Sequence, residues 1–544
     1  MVTLNKSDFG AEILSILTKG MYPDPRDSLR EYIQNGVDAG ASKILLKIRQ
    51  KTIVVEDDGK GMDITTMRKS IRLGVSEKDP KKNVGFMGIG LYSSFHLCDN
   101  LAIYSKFNDQ SPNKLFFDFK SMRKALEEQR ELRLDNSFQD KDIVALQNLM
   151  EDYIQLSELD VEEFPIQGTR VEMTGLEPSF FKSIEKFDEI SNYLERVIPL
   201  PFHPDFKWGV KIENKIREVC NLHSSKFELV NLKLQIDDRE ETLYRPYTDQ
   251  DFNEEPLEPE FFELKNDSDF FGISWGCLNS NRTTVKNNEL RGFLIRKQGF
   301  AIGSRHNLLT YFKRQTYFNR YIGEIIVVNP FLLPNAPRSD FEFSSLRASF
   351  YNSLWEMANY YNAEADKYQE NTKFEEDLDN AIKFIKETEL NLNIIREDSE
   401  KLLEALRDLN DKKEDLSKKI EKRDFKKEEA IIIRDNITKL IIELEKTIQL
   451  RKTKNKIKKK TRVEIIEDLK KIPSESRVTS KEPVYKNFED LLQSMGIDLN
   501  ENLVKIIRFI DEQFIQSNNF YPNEKYTNKL KLLKIELEEI LEDE

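Results

Sequence analysis

The sequence predicts an α+β protein whose second half is helical. Three observations carry that reading. A glycine-rich stretch, Gly85-Phe86-Met87-Gly88-Ile89-Gly90-Leu91-Tyr92, opens an apolar run to Leu97 that reads as a helix. On both sides of it, segments that alternate with a period of two are interleaved with segments of helical period. From Arg338 to Ile472 the chain contains neither proline nor glycine, so nothing local obliges a helix to stop.

Length and composition set the frame. A chain of 544 residues and 64.0 kDa exceeds one core, and three or four domains are expected. Cys98, Cys220 and Cys277 are too scattered for a disulfide framework or a paired-cysteine metal knot, which points to a reducing compartment. His96, His203, His223 and His306 show no ligand spacing. Met1 to Gly20 lacks the basic and apolar regions of a leader, and no run is long enough to span a bilayer. A cytoplasmic protein without membrane contact is expected. The net charge of -13 excludes uniform attraction to nucleic acid but leaves room for a local basic patch.

In chain order, Phe9 to Leu17 has apolar residues at helical spacing. Asp24-Pro25-Arg26-Asp27 then predicts a helix start, with Asp24 as N-cap and Pro25 at the first helical position. That helix, Ser28 to Ala39, ends at Gly40. On it Glu31, Asn35 and Asp38 share one face, as candidate ligands or as a solvated polar stripe. Lys43 to Arg49 and Thr52 to Glu56 read as two strands joined by a short turn. The second runs into Asp57-Asp58-Gly59-Lys60-Gly61-Met62, where a carboxylate at a strand end can accept from an exocyclic amine while bare backbone passes the ring. Asp58 is expected to face solvent, and the oxygen spacing of a calcium loop is missing.

The segment from Met62 to Gly85 is polar and carries Ser76, Lys78, Lys81 and Lys82. It fits a lid whose lysines meet phosphates, and equally a solvated loop. In the glycine stretch itself, residues without Cβ let backbone N–H groups come close to a phosphate chain, and a helix start adds free donors. Leu101 to Ser105 and Lys114 to Phe119 read as strands, Arg123 to Leu159 as charged helix, and Gly168 to Met173 as a strand.

Four pieces in fixed order now carry a resemblance. Glu31…Asn35…Asp38-Ala39, Asp57-x-Gly59-x-Gly61, Gly85-x-x-Gly88-x-Gly90 and Gly168-Thr169 resemble the four boxes of the Bergerat-fold ATPases. That superfamily includes Hsp90, type II topoisomerases, MutL-type and MORC proteins and histidine kinases; Leu29-Arg30-Glu31 and Gly88 to Ser93 are most similar to Hsp90. The resemblance implies a Bergerat-type α/β sandwich binding ATP and Mg²⁺. It makes Glu31 the base that activates water, Asn35 the metal ligand, Asp57 the reader of the adenine amino group, Gly88 and Gly90 the phosphate cradle, and Thr169 a support at the adenine end. Asp38, Gly59, Gly61, Met62, Lys78, Gly85 and Ile89 complete the implied nucleotide contacts. Leu333 to Asp340 resembles the middle-domain segment that brings an arginine to the γ-phosphate, here Arg338, with Arg296 or Lys297 of the strand-and-turn Arg291 to Ile302 as the alternative.

The implied organisation is an ATPase domain over 1–195, an α/β middle domain over 196–360, a coiled coil over 361–472, and a linker with a small helical domain over 473–544. Ile395, Leu402, Leu409 and Leu416 recur every seven residues, with Leu406 and Ile420 between, and Ile433, Ile437, Leu440 and Leu444 resume the seam. An antiparallel hairpin turning near Glu421 to Glu428 is preferred to a dimer stalk. Arg451 to Arg462 is a dense basic run, either a contact for nucleic-acid phosphates or a solvated face. Pro473 to Pro483 reads as a linker, and Phe488 to Glu544 as the helical tail. The insertion between the third and fourth boxes, the missing acidic linker and the tail all depart from Hsp90. The function expected is an ATP-hydrolysing clamp, implied to be a homodimer, that remodels a protein client or partner subunit. The alternative is a nucleic-acid clamp in the manner of MORC or MutL, with a place in bacterial antiviral defence.

Overall fold

The computed structural model describes residues 5, 8–81, 83–135, 137–164, 166–280 and 283–471, with side chains as far as Lys456. The expected linker, the helical tail and the side chains of the basic run past Lys456 lie outside the described residues. The chain divides into two compact units, Met1–Phe384 with Arg423–Lys427 and Ile385–Lys422 with Glu428–Glu544.

The first unit opens with helices α1 (Glu12–Met21) and α2 (Asp27–Asp38), and α3 (Ile64–Ser70) follows the first two strands. Its larger sheet has eight strands: β1 (Lys43–Arg49), β2 (Thr52–Asp57), β3 (Cys98–Lys106), β4 (Asn113–Asp118), β5 (Ile154–Glu158), β6 (Gly168–Leu176), β7 (Asn231–Ile236) and β8 (Arg239–Thr242). Their spatial order is β5-β4-β3-β6-β2-β1-β7-β8, antiparallel except where β1 meets β7. Alternation along β1 and β2 sends Ile44, Leu46, Ile48, Ile53 and Val55 into a core shared with Leu29, Ile33 and Val37 of α2. Helices α4 (Phe119–Leu134), α5 (Leu146–Tyr153), α6 (Pro178–Ile184) and α7 (Phe187–Val197) add Phe119, Met122, Leu149, Phe180 and Ile190 to the same core. Strands β7 and β8 come from beyond residue 195, so the sheet continues into the segment assigned by sequence to the middle domain.

A second sheet follows helix α8 (Gly209–Leu222). It has β9 (Glu260–Lys265), β10 (Phe270–Leu278), β11 (Gly292–Lys297), β12 (Phe300–Ile302) and β13 (Tyr321–Val327), in the order β12-β11-β13-β10-β9. Between β12 and β13 stands the short helix α9 (Gln315–Phe318). One face of this sheet packs on helix α10 (Ser345–Leu390) through Phe350, Leu354, Met357, Tyr361 and Ala365, the other on α8 through Ile212, Ile216 and Val219. The second unit holds α11 (Leu392–Glu397), α12 (Ser399–Glu421) and α13 (Lys427–Lys471). Leu402, Leu406, Leu409, Leu416 and Ile420 of α12 are buried with Ile433, Ile437, Leu440 and Leu444 of α13. Arg451 donates to Ser399 Oγ at 2.6 Å, so the start of α12 meets the middle of α13 and the pair is an antiparallel hairpin within one chain.

Four sequence expectations are corrected. The first helix begins at Glu12, three residues past Phe9, and ends at Met21. The Asp24 carboxylate does not cap α2: it accepts the Arg26 amide at 3.0 Å and grips the Arg26 guanidinium at 2.7 Å, so Pro25-Arg26 form a turn and the helix starts at Asp27. The run after the glycines is no α-helix. It makes a single 3₁₀ turn, Gly90–Tyr92, because Tyr32 ties Ser94 Oγ at 2.6 Å and β3 begins already at Cys98. The charged segment to Leu159 contains β5, whose Ile154 and Leu156 pair with Phe117 and Leu115 of β4, and this pairing overrides a helical composition.

Candidate functional site

Helix α2 comes down on β2 at Gly36, where an added Cβ would lie 3.0 Å from both Asp57 Cβ and Ile44 Cδ1. That close approach sets the polar edge of α2 beside the end of β2. Between them is a cavity of about 530 Å³, lined by Glu31, Asn35, Asp38, Asp57, Gly61, Met62, Lys78, the stretch Val84 to Leu91, Thr169 and Arg338. Gly59 and Gly168 are not in the wall; the Gly59 amide instead donates to Asp57 Oδ1 at 2.9 Å. Asp58 turns away to accept from the Ser42 and Lys43 amides, as expected of a solvent-facing neighbour.

At one end of the cavity three strands lie side by side. Register pairs Asp57 of β2 with Thr169 of β6, and Thr169 with Ser105 of β3, bringing together residues over a hundred positions apart. The Ser105 hydroxyl links Thr169 Oγ1 at 3.0 Å, donates to the Gly168 carbonyl at 3.0 Å and accepts the Met62 amide at 2.8 Å. Burial holds the Asp57 carboxyl up at about 6, against the amides of Gly59 and Thr169, which favour its ionised form. Gly61 has φ +70, and a Cβ there would sit 2.0 Å from the Lys106 carbonyl, so the backbone passes β3 at a point where only glycine fits.

The other end is built from the glycine stretch. A Cβ on Gly90 would lie 3.0 Å from Glu31 Oε2, and one on Gly88, at φ +72, 2.6 Å from the Val75 backbone. Glu31 is buried, with Arg30 Nη2 at 3.8 Å from its other oxygen. Asp38 does not project free into the cavity. Its two oxygens accept the Val84 and Gly85 amides at 2.8 and 2.9 Å, and Oδ2 also pairs with Lys78 Nζ at 2.8 Å. The same ammonium donates to Asn35 Oδ1 at 2.9 Å.

Arg338 enters from the loop after β13. A bridge between Pro334 and Phe341 closes that loop, and Arg338 at its tip has φ +55. The side chain is buried; Nη2 donates to the Val84 carbonyl, whereas Nη1 has no hydrogen-bond partner. Burial lowers its pKa to about 10, with Glu31 acting in the opposite sense, so the guanidinium stays charged at neutral pH. The two alternatives are placed elsewhere: Arg296 pairs with buried Glu324, and Lys297 donates to the Asn329 carbonyl.

Two contributors had no sequence signal. Ser105 is one of several hydroxyls in an alternating strand. Tyr22, in the turn before α2, lines the cavity, and burial followed by the Glu31 charge holds its hydroxyl far above the ordinary tyrosine range. Asn335 and Ala336 join the wall only because the arginine loop folds back. Among the described residues no three His, Cys, Asp or Glu side chains cluster to hold a metal, and no helix is long and apolar enough to cross a membrane.

Residues 24–149 match the family model described as histidine kinase-, DNA gyrase B-, and HSP90-like ATPase. The putative type II restriction enzyme HgiDII of Herpetosiphon aurantiacus is 29% identical over 105 residues, which is 18% of this chain and 17% of that protein. The chain thus spans less than a fifth of that relative's length.

Proposed function

We propose that this chain, which carries a domain of the histidine kinase-, gyrase B- and HSP90-like ATPases, is an ATP-hydrolysing clamp whose catalytic arginine is Arg338. The unpartnered Nη1 of Arg338, buried in the same cavity as Glu31, is the observation that carries this reading. A buried guanidinium nitrogen left without an acceptor is costly, and a phosphate oxygen satisfies it.

The residues fit a nucleotide with its metal. Asp57 would accept from the adenine amino group, with Thr169, Met62 and Gly61 framing the ring. Backbone amides at Gly85, Gly88, Ile89 and Gly90 would cradle phosphates where side chains are absent. Asn35 Oδ1 would be the protein's ligand to Mg²⁺, which when bound supplies neutralisation of phosphate charge. Glu31 would take a proton from the attacking water, being buried and within reach of bare Gly90. Water adds to the γ-phosphorus as the bond to the β-phosphate oxygen breaks, giving ADP and phosphate. Arg338 meets the charge growing on the γ-phosphoryl oxygens. Because Arg338 is held on Val84 and Lys81 lies 4.4 Å over the Phe331 ring, closing of the segment from Ile64 to Asn83 and docking of the 330–340 loop are one event. Turnover limited by that closure is slow.

A homodimer that remodels a protein partner, close to Hsp90 in its working, is the cargo reading we favour from the Leu29-Arg30-Glu31 box and the arginine loop. A second reading, a nucleic-acid clamp in a defence system, has its own support in the restriction-enzyme description of the relative and in the basic run from Arg451. Steady-state hydrolysis with and without duplex DNA over a salt series separates them. Stimulation that fades with salt selects the nucleic-acid reading, and indifference to DNA selects the protein one.

A further inference from the structure

The lid segment is tied to α2 by an ion that belongs to the chain itself. Lys78 Nζ lies 2.9 Å from Asn35 Oδ1 and 2.8 Å from Asp38 Oδ2, while Asp38 also holds the Val84 and Gly85 amides. The Asp38 side chain is only 3% exposed, so its charge is balanced locally by this ammonium and those two amides. The Asn35 oxygen is the one to which the reading above assigns the metal, and an ammonium already stands against it.

We propose that Lys78 is an internal counter-cation: in the nucleotide-free chain it holds the metal's place at Asn35 and latches the lid, so that metal entry and latch release are a single exchange. A monovalent and a divalent cation cannot share one carboxamide oxygen beside one carboxylate, because their mutual repulsion in a partly desolvated cavity outweighs what either gains there. Lys78 must leave when the metal arrives with its nucleotide. Its departure removes one of the three ties from Asp38 to the lid and leaves the two amide ties in place, which loosens the 76–83 stretch while preserving the turn at Gly85. By reciprocity, whatever stabilises the latched lid weakens the metal contribution to nucleotide binding by the same factor. This inference rests on the assignment of the metal to Asn35.

The test uses the full chain, ATP as the probe, and calorimetric affinities in excess Mg²⁺ and in EDTA. The ratio of the two affinities isolates the exchange, since a lysine that merely touched phosphates would change both by one factor. Lys78→Met is expected to raise the ratio about fivefold, the scale of one partly exposed ion pair, and to speed hydrogen exchange of the Lys81 and Asn83 amides in the nucleotide-free chain. An unchanged or lowered ratio, or unchanged exchange at those amides, overturns the latch. Asn35→Ala probes the underlying assignment separately. If it leaves the ratio as in the wild type, the metal is held elsewhere. If it brings the ratio near one while Lys78→Met does nothing, the latch alone is wrong.

Discussion

Replacing Arg338 by alanine removes Nη1, a buried side-chain donor without an acceptor among the described residues. Two contributions follow from its surroundings. The Val84 carbonyl loses the Nη2 donor, which costs about 1 kcal/mol against lid closure. The larger loss falls on the transition state. A preorganised donor aimed at developing charge is worth about 2.7–4 kcal/mol, so kcat should fall roughly 10²–10³-fold. The backbone does not confound this comparison, because alanine at φ +55 carries the same left-handed penalty as arginine. Arg338→Gly relieves that penalty, by about 1 kcal/mol, and offers a second variant with the side chain gone and the loop relaxed. Turnover and ATP affinity should be measured on both. Both variants are expected to lose kcat alike and to bind ATP within a few-fold of wild type. Lost affinity with intact kcat would give Arg338 a ground-state role, and full activity in either variant would remove it from catalysis.

Two further predictions concern the walls of the cavity. Because burial holds Asp57 at about 6 against an ordinary 3.8, the folded chain binds this proton more tightly than the unfolded one. The group therefore favours folding below about pH 4, and that contribution is lost as the pH rises through 6. Adenine binding needs the opposite form, so ATP affinity should fall about tenfold per unit below pH 6. Asp57→Asn should bind weakly and without this acid limb; an unchanged pH profile in that variant would refute the assignment. Gly88→Ala places a Cβ 2.6 Å from the Val75 backbone at φ +72, costing about 1–2 kcal/mol from the left-handed backbone alone. Calorimetry should show weakened ATP binding with a modest drop in melting temperature, and wild-type affinity would mean that the turn is not the cradle.

Much of the site was legible because its chemistry is tied to residue type at fixed spacing. Glu31, Asn35 and Asp38 follow from helical periodicity, and Gly61 and Gly88 from the backbone conformations that only glycine adopts easily. The same spacing misled where a side chain had two possible uses. Asp24 looks like an N-cap but is spent on Arg26. Leu91 to Leu97 has the composition of a helix, yet Tyr92 and Phe95 sink into the core and the chain must enter β3 at once. Ser105 and Tyr22 were invisible because their roles arise from cross-strand register and from a turn, neither of which leaves a local pattern. In the second unit the seven-residue repeat matches the buried residues from Leu402 to Leu416 and from Ile433 to Leu444, whereas Ile395 falls on α11 and is only half-buried, and Ile441 is buried outside the expected seam.

In the proposed mechanism Glu31 activates the water that cleaves ATP in this cavity. Steady-state hydrolysis and equilibrium ATP binding by the wild-type chain and Glu31→Ala test it most directly. Slow turnover by the wild type, none by the variant, and comparable ATP affinity in both are expected. Turnover retained by Glu31→Ala would contradict it.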